Sequence, residues 1–148
     1  MSLAHARPVA EGLFVEAGGE VRLVGSECAE CGVVTFPTQA SCPRCTSVHV
    51  RERLLARSGN LWSWTIQCFP PKSPPYVGGG PDAFEPYGVG YVELRDEVRV
   101  ETLLTVADPA ALRIGMPMEL TLIDAPGHED DGVVTFAFAP SARAEGSR

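Results

Sequence analysis

From Trp62 onward the chain alternates. Trp62, Trp64, Ile66 and Cys68 share one parity, and Ser63, Thr65 and Gln67 share the other, which predicts a half-buried strand with Cys68 as a small core residue. Tyr87–Leu94 repeats the period, with Gly88, Gly90 and Val92 on one face. Two small residues there predict a bend or a close backbone approach. Val98, Val100, Thr102, Leu104 and Val106 form a third alternating run, entered through an Arg95-Asp96-Glu97 hairpin turn. Met118, Leu120 and Leu122 form a fourth, and Val134, Phe136 and Phe138 a fifth. Between the third and fourth, Asp108-Pro109 reads as an N-cap followed by a proline at the first helical position, and Gly115 ends the short helix within a couple of turns. Five short strands with a small helix between the third and fourth predict an OB-fold, a five-stranded barrel that removes its edges by closure.

Ahead of the barrel the pattern is different. Val21–Glu27, Val33–Phe36 and Val48–Leu55 read as three strands around two cysteine pairs, Cys28-Ala29-Glu30-Cys31 and Cys42-Pro43-Arg44-Cys45. Four thiolates at this spacing converge on one tetrahedral ion, and Gly32 allows a positive φ where the first turn closes. Cys28, Cys31, Cys42 and Cys45 are therefore the expected ligands of a structural zinc, and the rival occupant of a four-sulfur site is iron. A saturated sulfur shell leaves no open position for water or substrate, so the metal staples the fold. His49 could ligate, but four thiolates already suffice. The expected organisation is mainly β: an N-terminal arm at 1–20, a rubredoxin-like zinc ribbon at 21–57, an OB-fold at 58–140 and a flexible tail at 141–148.

The net charge of −7 falls entirely in the second half: residues 58–148 carry thirteen acids and six bases, whereas 1–57 carry six of each. Phosphate binding requires a basic footprint, so nucleic acid is not the expected partner. Arg44, Arg51, Arg53 and Arg57 cluster beside the metal pairs, as a solvated face or as a contact for a phosphate or an anionic partner. Residues 69–86 hold Pro70, Pro71, Pro74, Pro75, Pro81 and Pro86 and a Gly78-Gly79-Gly80 run. A loop this long in a small domain predicts recognition, with Phe69, Tyr76 and Phe84 as apolar anchors for a partner or ligand. No run of about eighteen apolar residues is present to span a membrane. The first ten residues hold no stretch of signal-peptide character, and with metal-binding thiols this predicts a cytoplasmic protein. The three histidines, His5, His49 and His128, do not assemble a recognisable catalytic set, and no Gly-x-Ser-x-Gly elbow, phosphate loop or H-E-x-x-H occurs.

The cysteine knuckles, Phe36-Pro37, the run Phe84-Glu85-Pro86-Tyr87-Gly88-Val89-Gly90-Tyr91-Val92-Glu93-Leu94 and Ile114-Gly115-Met116-Pro117-Met118 together resemble the acyl-CoA-associated family of zinc-ribbon/OB-fold proteins. The resemblance spans about Gly12 to Phe138. Many members begin with a pair of helices; this chain lacks them and is closer to the short-armed members that accompany thiolases. The resemblance implies a small accessory subunit of a thiolase-like enzyme acting beta to a CoA thioester, as in benzoylsuccinyl-CoA thiolase or a steroid side-chain aldolase. It implies a heterotetramer built on the catalytic dimer, with acyl-CoA at the shared interface. It carries over the four cysteines as zinc ligands and no catalytic residue. A stand-alone acyl-CoA-binding module is the alternative, and a nucleic-acid-binding ribbon/OB protein is disfavoured by charge.

Overall fold

The structure is a computed structural model that describes residues 7–8, 12–68, 85–95, 97–125 and 132–141. Its strands are β1 (Arg7–Pro8), β2 (Phe14–Ala17), β3 (Glu20–Cys28), β4 (Val34–Thr35), β5 (Val50–Leu54), β6 (Ser58–Gln67), β7 (Tyr87–Glu93), β8 (Arg99–Leu104), β9 (Pro117–Asp124) and β10 (Val133–Pro140).

The ribbon is built on β3. Its first half pairs with β2, its second half with β5, and Ser26 and Glu27 pair on to β4. The N-terminal arm at 1–20 is paired into the fold: β1 lies against β10, β2 is a paired strand and the Phe14 side chain is buried. An apolar residue beside a glycine turn was enough to make a hairpin against Val21 and Leu23.

The five predicted barrel strands are all present. The sheet runs β6-β7-β8-β10-β9 and closes as β9 returns to β6 through Ser58↔Glu119 and Asn60↔Pro117. The β10–β8 pairing is parallel and the other barrel pairings are antiparallel, so the fold is an OB barrel. The small helix is shorter than expected: one 3-10 turn over Pro109–Ala111, with Asp108 accepting a hydrogen bond from the Ala110 amide at 3.0 Å. The cap and the proline act as anticipated, but no apolar stripe follows to carry a longer helix onto the core.

Gly88 and Gly90 mark close approaches of neighbouring backbones, as Gly25 and Gly59 also do. A Cβ on Gly90 would sit 2.5 Å from the Ser63 carbonyl oxygen, and one on Gly88 would meet the Val106 carbonyl. Because the obstacle is backbone and not a movable side chain, Gly90→Ala is expected to cost about 1–3 kcal/mol in chemical denaturation of the metal-loaded chain. An unchanged midpoint would contradict this close approach.

Two expectations for β6 are corrected. A β-bulge between Leu61 and Ser63 breaks the period, so Leu61 is buried while Trp62 turns outward and is 45% exposed. Trp64 and Ile66 still pack on the core. Cys68 lies past the strand end and is exposed, not buried.

Ribbon and barrel share one apolar core. Phe14, Val21, Leu23, Val34 and Leu55 join Leu61, Met118, Leu122 and Phe138 in a single cluster. Phe136 of β10 meets Phe36 and Phe14 edge-on, at 5.5 and 6.5 Å between ring centroids. Arg57 ties the modules through polar atoms, donating to the carbonyls of Val21 at 3.0 Å and Leu120 at 3.1 Å.

Candidate metal centre

Cys28 closes β3, and Cys31 follows it around a tight turn. Cys42 and Cys45 repeat that turn after the loop from β4. The two knuckles match bond for bond. The amides of Glu30 and Cys31 donate to Cys28 Sγ at 3.3 and 3.4 Å, and those of Arg44 and Cys45 donate to Cys42 Sγ at 3.3 and 3.4 Å. Gly32 N donates to Cys28 O at 3.0 Å, and Thr46 N to Cys42 O at 2.9 Å.

The four sulfurs lie within 4.8 Å of one another, with Cys28–Cys45 and Cys31–Cys42 both at 3.6 Å. A tetrahedral ion with bonds of about 2.3 Å sets its sulfurs about 3.8 Å apart, so the cage fits zinc with little adjustment. The site is a structural zinc centre. All four coordination positions are filled by the chain, so zinc here would hold β3, β4 and β5 in register.

Proton affinities follow the crowding. The Cys31 amide is the main cause that lowers the Cys28 thiol, against its burial. Burial pushes the Cys42 thiol up, but the Cys45 and Arg44 amides and the neighbouring thiols outweigh it and bring it down to about 6. The Ser47 amide favours the Cys45 thiolate, yet the adjoining sulfurs and burial push that thiol up to about 12. Four anionic sulfurs at this distance need a cation between them, and a bound metal displaces the remaining protons.

Gly32 and Thr46 occupy equivalent positions with φ of +80° and +63°. Glycine suits that conformation, and a β-branched residue is strained in it. Thr46→Gly is expected to stabilise the zinc-loaded chain by about 1 kcal/mol, and Gly32→Ala to destabilise it by about the same. Thermal melts that shift in the opposite directions would refute the pairing.

The remaining candidates are distributed differently from their sequence order. Arg44 Nη2 donates to Cys31 O at 3.3 Å. Arg51 pairs with Glu27 at 3.3 Å, Arg53 with Glu27 at 3.3 Å and Glu97 at 2.7 Å, and Arg57 with Glu20 at 3.9 Å. Three of the four cations are thus met by carboxylates of the chain. His49 is exposed on the way into β5. Phe69, Tyr76 and Phe84 lie outside the described residues.

Two features escaped the sequence. One is the clasp of Glu97 on Arg53. The other is an exposed group on the barrel, in which Trp62 meets Tyr91 edge-on at 6.2 Å and Arg99 stacks 4.0 Å from the Trp62 ring centroid. The alternation of β7 did place Tyr91 opposite Gly90 and Val92, hence outward, but nothing local signalled the bulge that exposes Trp62.

Residues 15–48 match the family described as the rubredoxin-like zinc ribbon domain of ChsH2, and residues 52–122 match its C-terminal OB-fold domain. The chain is 30% identical over 120 residues to a DUF35 domain-containing scaffold protein of Methanothermobacter thermautotrophicus, covering 78% of this chain and 83% of that protein. It is 30% identical over 100 residues to the benzoylsuccinyl-CoA thiolase subunit BbsA of Thauera aromatica, covering 68% and 62% of the two chains. Among solved structures it resembles the Ltp2-ChsH2(DUF35) aldolase, with a TM-score of 0.60 and 32% identity over 80% of this chain and 84% of that one. With its ribbon, its barrel and its four-cysteine centre all accounted for, the chain belongs to the DUF35 family of zinc-ribbon/OB-fold scaffold proteins.

Proposed function

We propose that this protein is the non-catalytic accessory subunit of a thiolase-like acyl-CoA enzyme that makes or breaks a C–C bond beta to the thioester. The observation that carries the reading is the metal centre: four protein sulfurs fill the shell, which gives the chain a staple and not a Lewis acid. The likeness to a scaffold protein and to the thiolase subunit BbsA supports the same role. In this reading the large subunit supplies the nucleophile and base, and the present chain stabilises it and helps shape access for acyl-CoA in the cytoplasm.

The loop over residues 69–86 belongs to this reading as a recognition segment. Deleting residues 74–81 is expected to abolish complex formation while the chain stays folded. The decisive experiment is co-expression with thiolase-like proteins from the same source. A stoichiometric complex whose turnover needs both chains supports the proposal. Failure to co-purify with any of them, together with acyl-CoA binding by the chain alone, would replace it with a stand-alone binding module. A second reading, with a thiolase-like aldolase as the large subunit, is favoured by the likeness to the Ltp2-ChsH2(DUF35) aldolase. Retro-aldol cleavage by the reconstituted pair, without thiolysis by free CoA, would select it.

A further inference from the structure

The outer face of the barrel carries an exposed aromatic group whose side chains are held by one another. Trp62 at the bulge of β6, Tyr91 on β7 and Arg99 on β8 meet there, although the register sets Tyr91 opposite Ser63 and Arg99 opposite Glu93. Trp62 is 45% exposed and Tyr91 is 39% exposed, yet their rings are fixed edge to face and Arg99 stacks on the indole. Arg99 Nε is in turn held by Glu93 at 3.1 Å. The bulge at Leu61/Ser63 re-aims Trp62 away from the core, where the alternation alone would have buried it. Beside Arg99 an open groove of about 760 Å³ continues past Asn60, Leu94 and Arg95. Pre-ordered Trp, Tyr and Arg at the centre of a surface are the residue types that dominate binding energy when a partner covers them.

Charge selects the kind of partner. A stacking platform on an OB barrel could serve single-stranded nucleic acid, but that use needs surplus positive charge along the track. Here the guanidinium is already matched by Glu93. Glu101 is exposed and directly opposite Tyr91, with no cation paired to it among the described residues. The half of the chain that contains the barrel holds thirteen acids against six bases. A second copy would present the same acidic surface, with Glu101 again unpaired by a cation among the described residues and no surplus of basic side chains to meet it. The complementary surface is a protein face with a slot for the indole and Lys or Arg side chains around it.

We infer that Trp62, Tyr91 and Arg99 anchor the thiolase-like catalytic subunit, with basic side chains of that subunit facing Glu101. The inference rests on the accessory-subunit reading and assigns it a surface.

The test is calorimetric titration of the purified chain, zinc-loaded, with the thiolase-like subunit that co-purifies with it, at low and high salt. Trp62→Ala is expected to weaken binding at least tenfold. Glu101→Arg, which keeps the aromatic group, is expected to weaken it about tenfold at low salt and to flatten the salt dependence. Melting temperature and zinc content of each variant report that the fold is intact. Wild-type affinity in both variants overturns the surface and leaves the accessory role standing. A wild-type chain that binds no such subunit overturns both. Concentration-dependent dimerisation that Trp62→Ala abolishes, or salt-sensitive binding of an oligonucleotide, would instead assign the patch to one of the rejected occupants.

Discussion

Removing the metal, by a strong chelator or by Cys42→Ser, melts the cysteine knuckles at 28–32 and 37–49 and leaves the barrel folded, with Val34 and Phe36 still on the shared core. Between Ala29 and His49 only Val34 and Cys42 are buried among the described residues, so this half of the ribbon has almost no apolar core. Its hydrogen bonds largely run from amides to sulfur or close the two knuckle turns. A structural zinc in so small a unit contributes on the order of 10 kcal/mol, far more than the few contacts that would remain. The barrel end of the ribbon behaves otherwise, since Val21, Leu23 and Leu55 belong to the shared core and do not depend on the ion. Limited proteolysis should therefore cut the metal-free chain at Arg44 while the zinc-loaded chain resists, with the barrel surviving as a stable fragment. Elemental analysis should give one zinc per chain and no iron, in a colourless protein. Equal protease resistance with and without metal would show that the ribbon is held by something other than the cage.

How much of this was legible in advance follows from the range over which each feature is encoded. The metal centre is a local pattern, two C-x2-C turns fourteen residues apart from first cysteine to first cysteine, and its four ligands converge as the spacing predicts. The barrel strands were legible because each alternation is set by which face meets the core, and β7 to β9 keep that phase without interruption, while β10 is buried on both faces from Val133 to Phe138. β6 does not. One inserted residue at the bulge sends Trp62 outward, and an apolar residue on the expected parity gave no hint of it. Cys68 failed for a related reason, because the pairing with β7 ends at Gln67 and the next residue is past the sheet. The arginines were read as a cluster because they are neighbours in sequence. Their carboxylates come from β3 and from the β7–β8 turn, which no local window contains. Glu97 was read correctly as a turn residue, and its second role was invisible because its partner lies 44 positions away.

That second role yields the other large effect: Glu97→Ala is expected to cost about 3 kcal/mol and to loosen the ribbon from the barrel. The Glu97 side chain is 7% exposed, and its carboxylate takes three hydrogen bonds from across the junction: Arg53 Nη2 at 2.7 Å, Arg53 Nε at 3.1 Å and the Ala56 amide at 2.9 Å. Alanine leaves the Ala56 amide without its acceptor and deprives Arg53 of its closest counter-ion, and losses of this kind cost about 1–3 kcal/mol for each group stranded. Arg53 is 36% exposed and also pairs with Glu27, so water and that second carboxylate recover part of its share. Glu97→Gln should therefore cost less, since an amide oxygen can still accept from Ala56. A double-mutant cycle with Arg53→Met separates the pair from the amide, with an expected coupling of about 1–2 kcal/mol. The control is Glu27→Gln, where the carboxylate is more open and its pairs are longer, with a loss of about 0.5 kcal/mol. Because Glu97 bridges the hairpin turn to β5 and to the linker into β6, its loss should also raise amide exchange at residues 53–57 ahead of the barrel strands. Exchange there unchanged in Glu97→Ala would mean that the apolar contacts around Phe136 hold the two modules together without the clasp.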